Sequence, residues 1–238
     1  RRQVKKALQK PSPVSTVPRY PHLRESKTVT AAPPVPVTTF KVEPGADLIW
    51  SGGDQDSLQL LKIEESNGIP EQMPGPLGRD RELVVGLDFG TSCVKVVVGD
   101  RGASKAYAVP FLDAAGVNAY LLPSRLFEQS GTFSLSEGPD VHRDLKLRFL
   151  ANPTTSHLQE TLVGFLALVI RRCRAWLFAA HADTLAKRKI LWTLVLGRAV
   201  DRAQNDQIGH LMADVLNAAW QVAGSPGMVD RLACNREL

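Results

Sequence analysis

Apolar residues alternate with small or polar ones from Leu83 to Phe89 and again from Val94 to Gly99, with a glycine-containing turn between the two runs. A period of two on either side of such a turn predicts a β-hairpin. Further short runs at Ala106–Phe111, Ala119–Phe127 and Thr132–Leu135 follow so closely that antiparallel neighbours are expected. The period then lengthens: Leu158, Leu162, Phe165, Leu166, Val169 and Trp176 share one helical face, which predicts a long helix over Thr155–His181. In "KRKILWTLVLG" the run Ile190–Leu196 reads as a strand apolar enough to be buried on both faces. A second helix is expected over Ala203–Val222, and "MVDRLACN" reads as the opening of one more strand. The order β-β-β, then α-β-α-β, implies an α/β fold in which a crossover helix feeds a central strand of a mixed sheet flanked by helices.

Before residue 80 neither period persists. Eleven of the 16 prolines fall there, and "AAPPVPVTTFKVEPG" has no stretch long enough to build a core. Residues 1–80 are therefore expected to form a disordered, Pro-rich arm and linker, with the folded domain at 81–238. Within the arm, "LQLLKIEE" (Leu58–Glu65) predicts a turn of helix or a docking strand, and "GIPEQMPGPLGRD" reads as linker. Charge changes the picture only at the start, where Arg1 to Lys27 carries eight Lys or Arg and a single Glu. Without aromatic residues at stacking intervals, a solvated basic linker is favoured over contact with nucleic acid or an acidic membrane. The first residue is Arg, which points to a start further upstream.

Three cysteines, Cys93, Cys173 and Cys234, are widely spaced, with no CxxC pair and no His cluster. This argues against a disulfide framework or a zinc site and for a reduced, cytoplasmic setting. The longest apolar run, Leu162 to Ile170, leads straight into "RRCR" and is too short to span a bilayer.

The turn "LDFGTS" carries the candidate chemistry. Gly90 lets backbone approach a ligand without a Cβ, the amides of Thr91, Ser92 and Cys93 can converge on an anion, and two hydroxyls can donate to it. Asp88 has two readings. A carboxylate beside a phosphate nest makes sense with a hydrated Mg²⁺ between them, and equally it can cap the turn by accepting from nearby amides. No GxxxxGK[ST] loop, no GxGxxG and no defensible Ser-His-Asp set occurs.

"GLDFGTSCVKVVVGD" resembles the first phosphate motif of the actin-like ATPase superfamily, and the downstream order is most similar to the 70-kDa heat-shock chaperones. Pro123 and Ser124 in "AYLLPSRLFE" match that family's Pro-Ser element, and "VHRDLKLRFLA" occupies the place of its lysine-bearing segment. The resemblance implies a ribonuclease H-like first lobe from Leu83 onward that binds ATP or ADP with Mg²⁺. It implies that Asp88 holds the metal through water, that Gly90, Thr91, Ser92 and Cys93 cradle the phosphates, and that Lys146 sits near the γ-phosphate. Clients or co-chaperones would follow by analogy alone. The chain departs from the family at Leu196-Gly197, where Val-Pro is usual, and at Gln204-Asn205, where Gln-Arg is usual. Neither the second phosphate motif, Asp-x-Gly-Gly-Gly-Thr, nor the later Gly-Gly adenosine motif follows the first one in this sequence. The expectation is therefore an atypical, truncated member, one phosphate-binding lobe that is inactive as an ATPase on its own. Two alternatives stay open. One is a sugar kinase of the same superfamily, for which Asp113 and Asp144 are the candidate acids; the other is a non-catalytic actin-like interaction or scaffold protein.

Overall fold

The hairpin forms where alternation is strongest and organises the sheet around it. The computed structural model describes residues 58–68, 80–185, 188–197 and 205–238. Its strands are β1 (Arg81–Phe89), β2 (Cys93–Asp100), β3 (Lys105–Ala108), β4 (Leu122–Pro123), β5 (Leu126–Gln129), β6 (Thr132–Ser134), β7 (Asp140–His142) and β8 (Ile190–Leu196). Its helices are α1 (Leu145–Ala151), α2 (Ser156–Ala180), α3 (Ala182–Leu185), α4 (Asn205–Gly224) and α5 (Arg231–Glu237). β1 pairs antiparallel with β2, from Leu83↔Asp100 to Phe89↔Val94, and parallel with β8, from Arg81↔Ile190 to Leu87↔Leu196. The main sheet runs β3-β2-β1-β8, with β4 also beside β2, and a smaller sheet runs β6-β5-β7. The architecture is mixed α/β, a mixed sheet with flanking helices.

One face of the main sheet makes the core. Leu83, Val85, Leu87 and Phe89 of β1 and Val94, Val96 and Val98 of β2 are buried together. α2 lies against this face, with the Phe89 and Phe165 rings 5.8 Å apart, and α4 reaches it through Trp220, 5.7 Å from Trp192 of β8. Because both helices take the same face, β8 is not buried on both sides as its apolar run suggests. It ends the described sheet, and Leu191 and Val195 on its other face are 40% and 51% exposed. An apolar run reports that one face is covered; it does not report how many helices are available to cover the second.

Other departures are local. The run Ala119–Phe127 is broken into a 3-10 turn (Gly116–Tyr120), β4 and β5, because the chain leaves the large sheet at Pro123 and enters the small one at Leu126. β5 and β6 are joined by the two-residue turn Ser130-Gly131, both at positive φ (50° and 81°), as the twist of a tight hairpin requires. "MVDRLACN" opens no strand: Asp230 makes a single bridge to Thr132 and then caps α5, its Oδ1 accepting from the Ala233 amide at 2.7 Å. Residues 58–68 pack on the domain, with the Leu61 amide donating to Phe111 O and Leu60 bridged to Leu112, and a 3-10 turn at Glu65–Gly68 completes the segment. The rest of the sequence-predicted arm and linker, 1–57 and 69–79, lies outside the described residues.

α2 is buried on all sides between Thr161 and Ala175, yet it carries Arg171, Arg172 and Arg174 there. Arg171 donates to the carbonyls of Ala223, Gly227, Val222 and Ser225 and so satisfies the C-terminal end of α4, where a cation is also favoured by the helix dipole. Arg172 holds Glu65 at 2.7 Å and the Leu61 carbonyl. Arg174 is different. It lies 4.9 Å from the Trp220 ring and 5.9 Å from Trp192, while its Nε and one terminal nitrogen donate to nothing, and burial pushes its pKa down to about 10. Arg171→Met should therefore cost about 3 kcal/mol or more by stranding buried carbonyls, whereas Arg174→Met should lie within about 1 kcal/mol of the parent or stabilise it. Urea denaturation of both variants checks the contrast, and equal losses would contradict it.

Candidate functional site

The turn between β1 and β2 begins where the antiparallel ladder closes at Phe89↔Val94. The Gly90 amide donates to Cys93 O at 3.0 Å, which draws the loop tight. A Cβ at position 90 would lie 2.7 Å from that same carbonyl, so only glycine fits without the turn opening. Thr91 and Ser92 are exposed at the tip, and among the described residues their amides donate to no acceptor.

Two distant segments brace this loop. Ser124, just after β4, donates from its hydroxyl to Gly90 O at 2.9 Å and from its amide to Ser92 O at 2.9 Å. Lys146, in the first turn of α1, donates to Phe89 O at 2.7 Å with its ammonium 5.8 Å from the centre of the Phe89 ring. Sequence and structure thus bring together Asp88, Gly90, Thr91, Ser92, Cys93 and Lys146, together with Ser124, at one end of the main sheet.

Asp88 faces the uncovered side of the sheet and is engaged there. Lys95 sits directly across the hairpin, and its ammonium lies 2.7 Å from the Asp88 carboxylate. The hydrogen bond and charge of Asp88 raise the Lys95 pKa, and both side chains are largely exposed. Lys95 is the site residue that sequence reasoning missed. Its signal was present, since counting back across a four-residue loop closed by Phe89 and Val94 puts Lys95 opposite Asp88. Asp88 is therefore a cross-strand ion-pair partner and does not cap the turn.

Other candidates fall away from the turn. Burial pushes the Cys173 and Cys234 thiols up to about 12, which removes them as nucleophiles. Asp113 is exposed on the segment that pairs with Gln59, and Asp144 sits at the start of α1 in the left-handed region (φ 54°) without a side-chain capping bond. Asp100, buried at the opposite end of the hairpin, is held by Arg81 at 2.7 Å and accepts from the Ala103 amide. Among the described residues no group of three or more His, Cys, Asp or Glu is arranged to hold a metal ion, and no helix is long and apolar enough to cross a membrane.

Chemically, the turn offers unpaired amides, two hydroxyls and two ammonium groups beside one carboxylate, a set that suits an anion. Set against protein-family models, curated proteins and solved structures, the chain matches none.

Gly90→Ala should destabilise the protein by about 1–3 kcal/mol, because the new methyl must displace the Cys93 carbonyl. Ser124→Ala should cost about 1 kcal/mol, the net worth of one hydrogen bond. Thermal or urea unfolding of the two variants reads both values, and a neutral Gly90→Ala would mean that the turn is not drawn tight as described.

Proposed function

We propose that the turn from Asp88 to Cys93 binds the phosphate end of a nucleotide, ATP or ADP, and that the domain is the ribonuclease H-like first lobe of an atypical, heat-shock-70-like member of the actin-like ATPases. The observation that carries this reading is the convergence of Lys146, 57 positions further along the chain, on the carbonyl that opens the turn. The parallel ladder with β8 stops at Leu87↔Leu196, so Phe89 O lies past its end, and the donor that meets it is an ammonium brought from a separate helix to the base of the turn. A phosphate arriving at the free Thr91 and Ser92 amides would find Lys146 on one side and Lys95 on the other. Each can exchange its present oxygen acceptor for a phosphate oxygen.

The residues present do not fit a resident Mg²⁺. The turn has a single carboxylate, and Lys95 already neutralises it. Any Mg²⁺ at the turn would therefore belong to the nucleotide. Phosphoryl transfer depends on several groups converging on the phosphates. This lobe supplies one set of them, so binding is the activity proposed for the chain, with hydrolysis left to a second phosphate loop. Clients or co-chaperones in such a cycle remain analogy with the 70-kDa heat-shock chaperones.

Calorimetric titration of ADP into the purified chain, with and without Mg²⁺, tests the reading. Saturable binding is expected in both buffers. Lys146→Met should weaken it about tenfold or more, the loss of one charge-assisted hydrogen bond. Asp88→Asn should strengthen binding in Mg²⁺-free buffer by removing the one negative group at the turn. Absence of binding, or an affinity indifferent to Lys146→Met, would overturn the reading, and sustained Mg²⁺-dependent ATP turnover by this chain would contradict its restriction to binding.

A further inference from the structure

β8 is apolar at every position but Thr193, yet none of its residues is buried, whereas Leu83, Val85, Leu87 and Phe89 of its neighbour β1 are. Among the described residues its second edge has no strand beside it. Proteins that keep such an edge to themselves blunt it with a charge, a proline or a bulge. Ile190–Leu196 holds no charge and no proline, and its ladder with β1 runs without a bulge.

The backbone of this edge has a definite register. Lys189 O accepts from the Arg81 amide at 2.9 Å and the Gly197 amide donates to Leu87 O at 2.8 Å, so the odd-numbered residues of β8 bond inward to β1. Inward and outward residues alternate along a strand, and Ile190, Trp192, Leu194 and Leu196 accordingly turn their N–H and C=O groups to the open edge. An antiparallel partner must set its own outward residues opposite these. A second β8 does so when the two-fold axis passes through Thr193. Ile190 then pairs with Leu196 of the second copy and Trp192 with its Leu194, each pair exchanging both hydrogen bonds, and every outward group is used. Moving the axis to another residue leaves part of the edge unpaired.

The side chains suit the same register. Leu191, Thr193 and Val195 lie on the uncovered face, where Leu191 and Val195 are among the exposed large apolar residues. About the axis, Leu191 meets Val195 of the second copy and Thr193 meets Thr193, apolar against apolar and hydroxyl against hydroxyl. Charge agrees as well. Lys189 is exposed, lies on that face and comes opposite Gly197 of the second copy. Asp88 leans over this glycine: a Cβ on Gly197 would stand 3.9 Å from Asp88 Oδ1, while Lys95 holds the other carboxylate oxygen at 2.7 Å. The Lys189 ammonium of each copy is thereby brought beside the Asp88 oxygen that Lys95 leaves open.

We propose that the open edge of β8 pairs with β8 of a second copy, antiparallel about Thr193, and joins two main sheets into one across a symmetric dimer. The occupant is a second copy because the edge is complementary to itself in backbone register, in apolar side chains and in charge at once. One strand edge is a small interface, so the dimer forms reversibly, with a Kd of about 1–100 µM. It is independent of what the β1–β2 turn binds.

Sedimentation of the full chain from about 1 to about 200 µM tests the pairing. The parent should pass from monomer to dimer over that range. Val195→Lys, a charge set at an exposed position opposite Leu191 of the second copy, should raise the Kd about tenfold or more without changing the far-ultraviolet circular dichroism. Lys189→Glu, which brings a carboxylate to Asp88, should weaken the dimer too. Two cysteine variants read the register itself. Thr193→Cys places its two sulfurs across the axis, where facing Cα atoms are about 4.5 Å apart, and should cross-link on mild oxidation. Leu191→Cys, about 14 Å from its mate, should not; Cys93 is common to both variants and gives them the same background. A parent that stays monomeric throughout overturns the proposal, and is the result if another segment of this chain or a different protein fills the edge instead. A dimer indifferent to Val195→Lys, or equal cross-linking of the two cysteine variants, overturns it as well.

Discussion

Three guanidinium groups on one buried helix need acceptors, and the places where they find them position much of the remaining chain. A buried donor without a partner costs more than a made hydrogen bond returns. Arg171 answers this by gathering the last carbonyls of α4, and Arg172 by fastening the 61–65 segment to the back of α2. Arg174 answers it only in part, between the faces of Trp192 and Trp220, and so ties β8 and α4 to the same helix through ring contacts. The helix that covers the sheet is thereby also the post to which the flanking pieces are tied.

That scaffold determines what the β1–β2 turn can be. Phe89 is packed under Phe165 of α2, which leaves its carbonyl as the last fixed point before the loop. Lys146 and Ser124 both come to this end of the strand, one bonding Phe89 O and the other Gly90 O. The loop is held by groups that arrive from separate parts of the fold while its tip amides stay unpaired. Rigid support beneath a free tip is the arrangement a binding loop requires.

What was legible in the sequence were the elements whose period outlasts chance. The hairpin, α2 and β8 appear within a residue or two of their expected limits, because each has several apolar positions in one register. What was not legible is set by tertiary position. β7 is three residues with polar ends and exists only because β5 lies beside it, and α1 is a short helix whose start is an Asp in an unusual conformation. The span around Val229 has strand-like composition, yet Asp230 three residues before Ala233 was the stronger signal, that of a helix cap. At the site, Asp88 and the loop residues were readable from turn chemistry, and Lys95 from register. The place of Lys146 came from a resemblance; no periodicity of its own segment would have carried it to Phe89.

β1 has one neighbour a short loop away and another contributed from near the opposite end of the fold, after α2 and α3 have been made. The first pairing closes a small loop and is entropically cheap, while the second must wait for a long one. Folding should therefore proceed from an early β1–β2 hairpin, with the turn already shaped, to a late docking of β8. Until that docking, the apolar stretch Ile190–Leu196 is left without its only described partner and carries no charge or proline to discourage adventitious pairing. The interval between those two steps is when a newly made chain is most exposed to aggregation, which makes the slow parallel pairing the kinetic weak point of the fold.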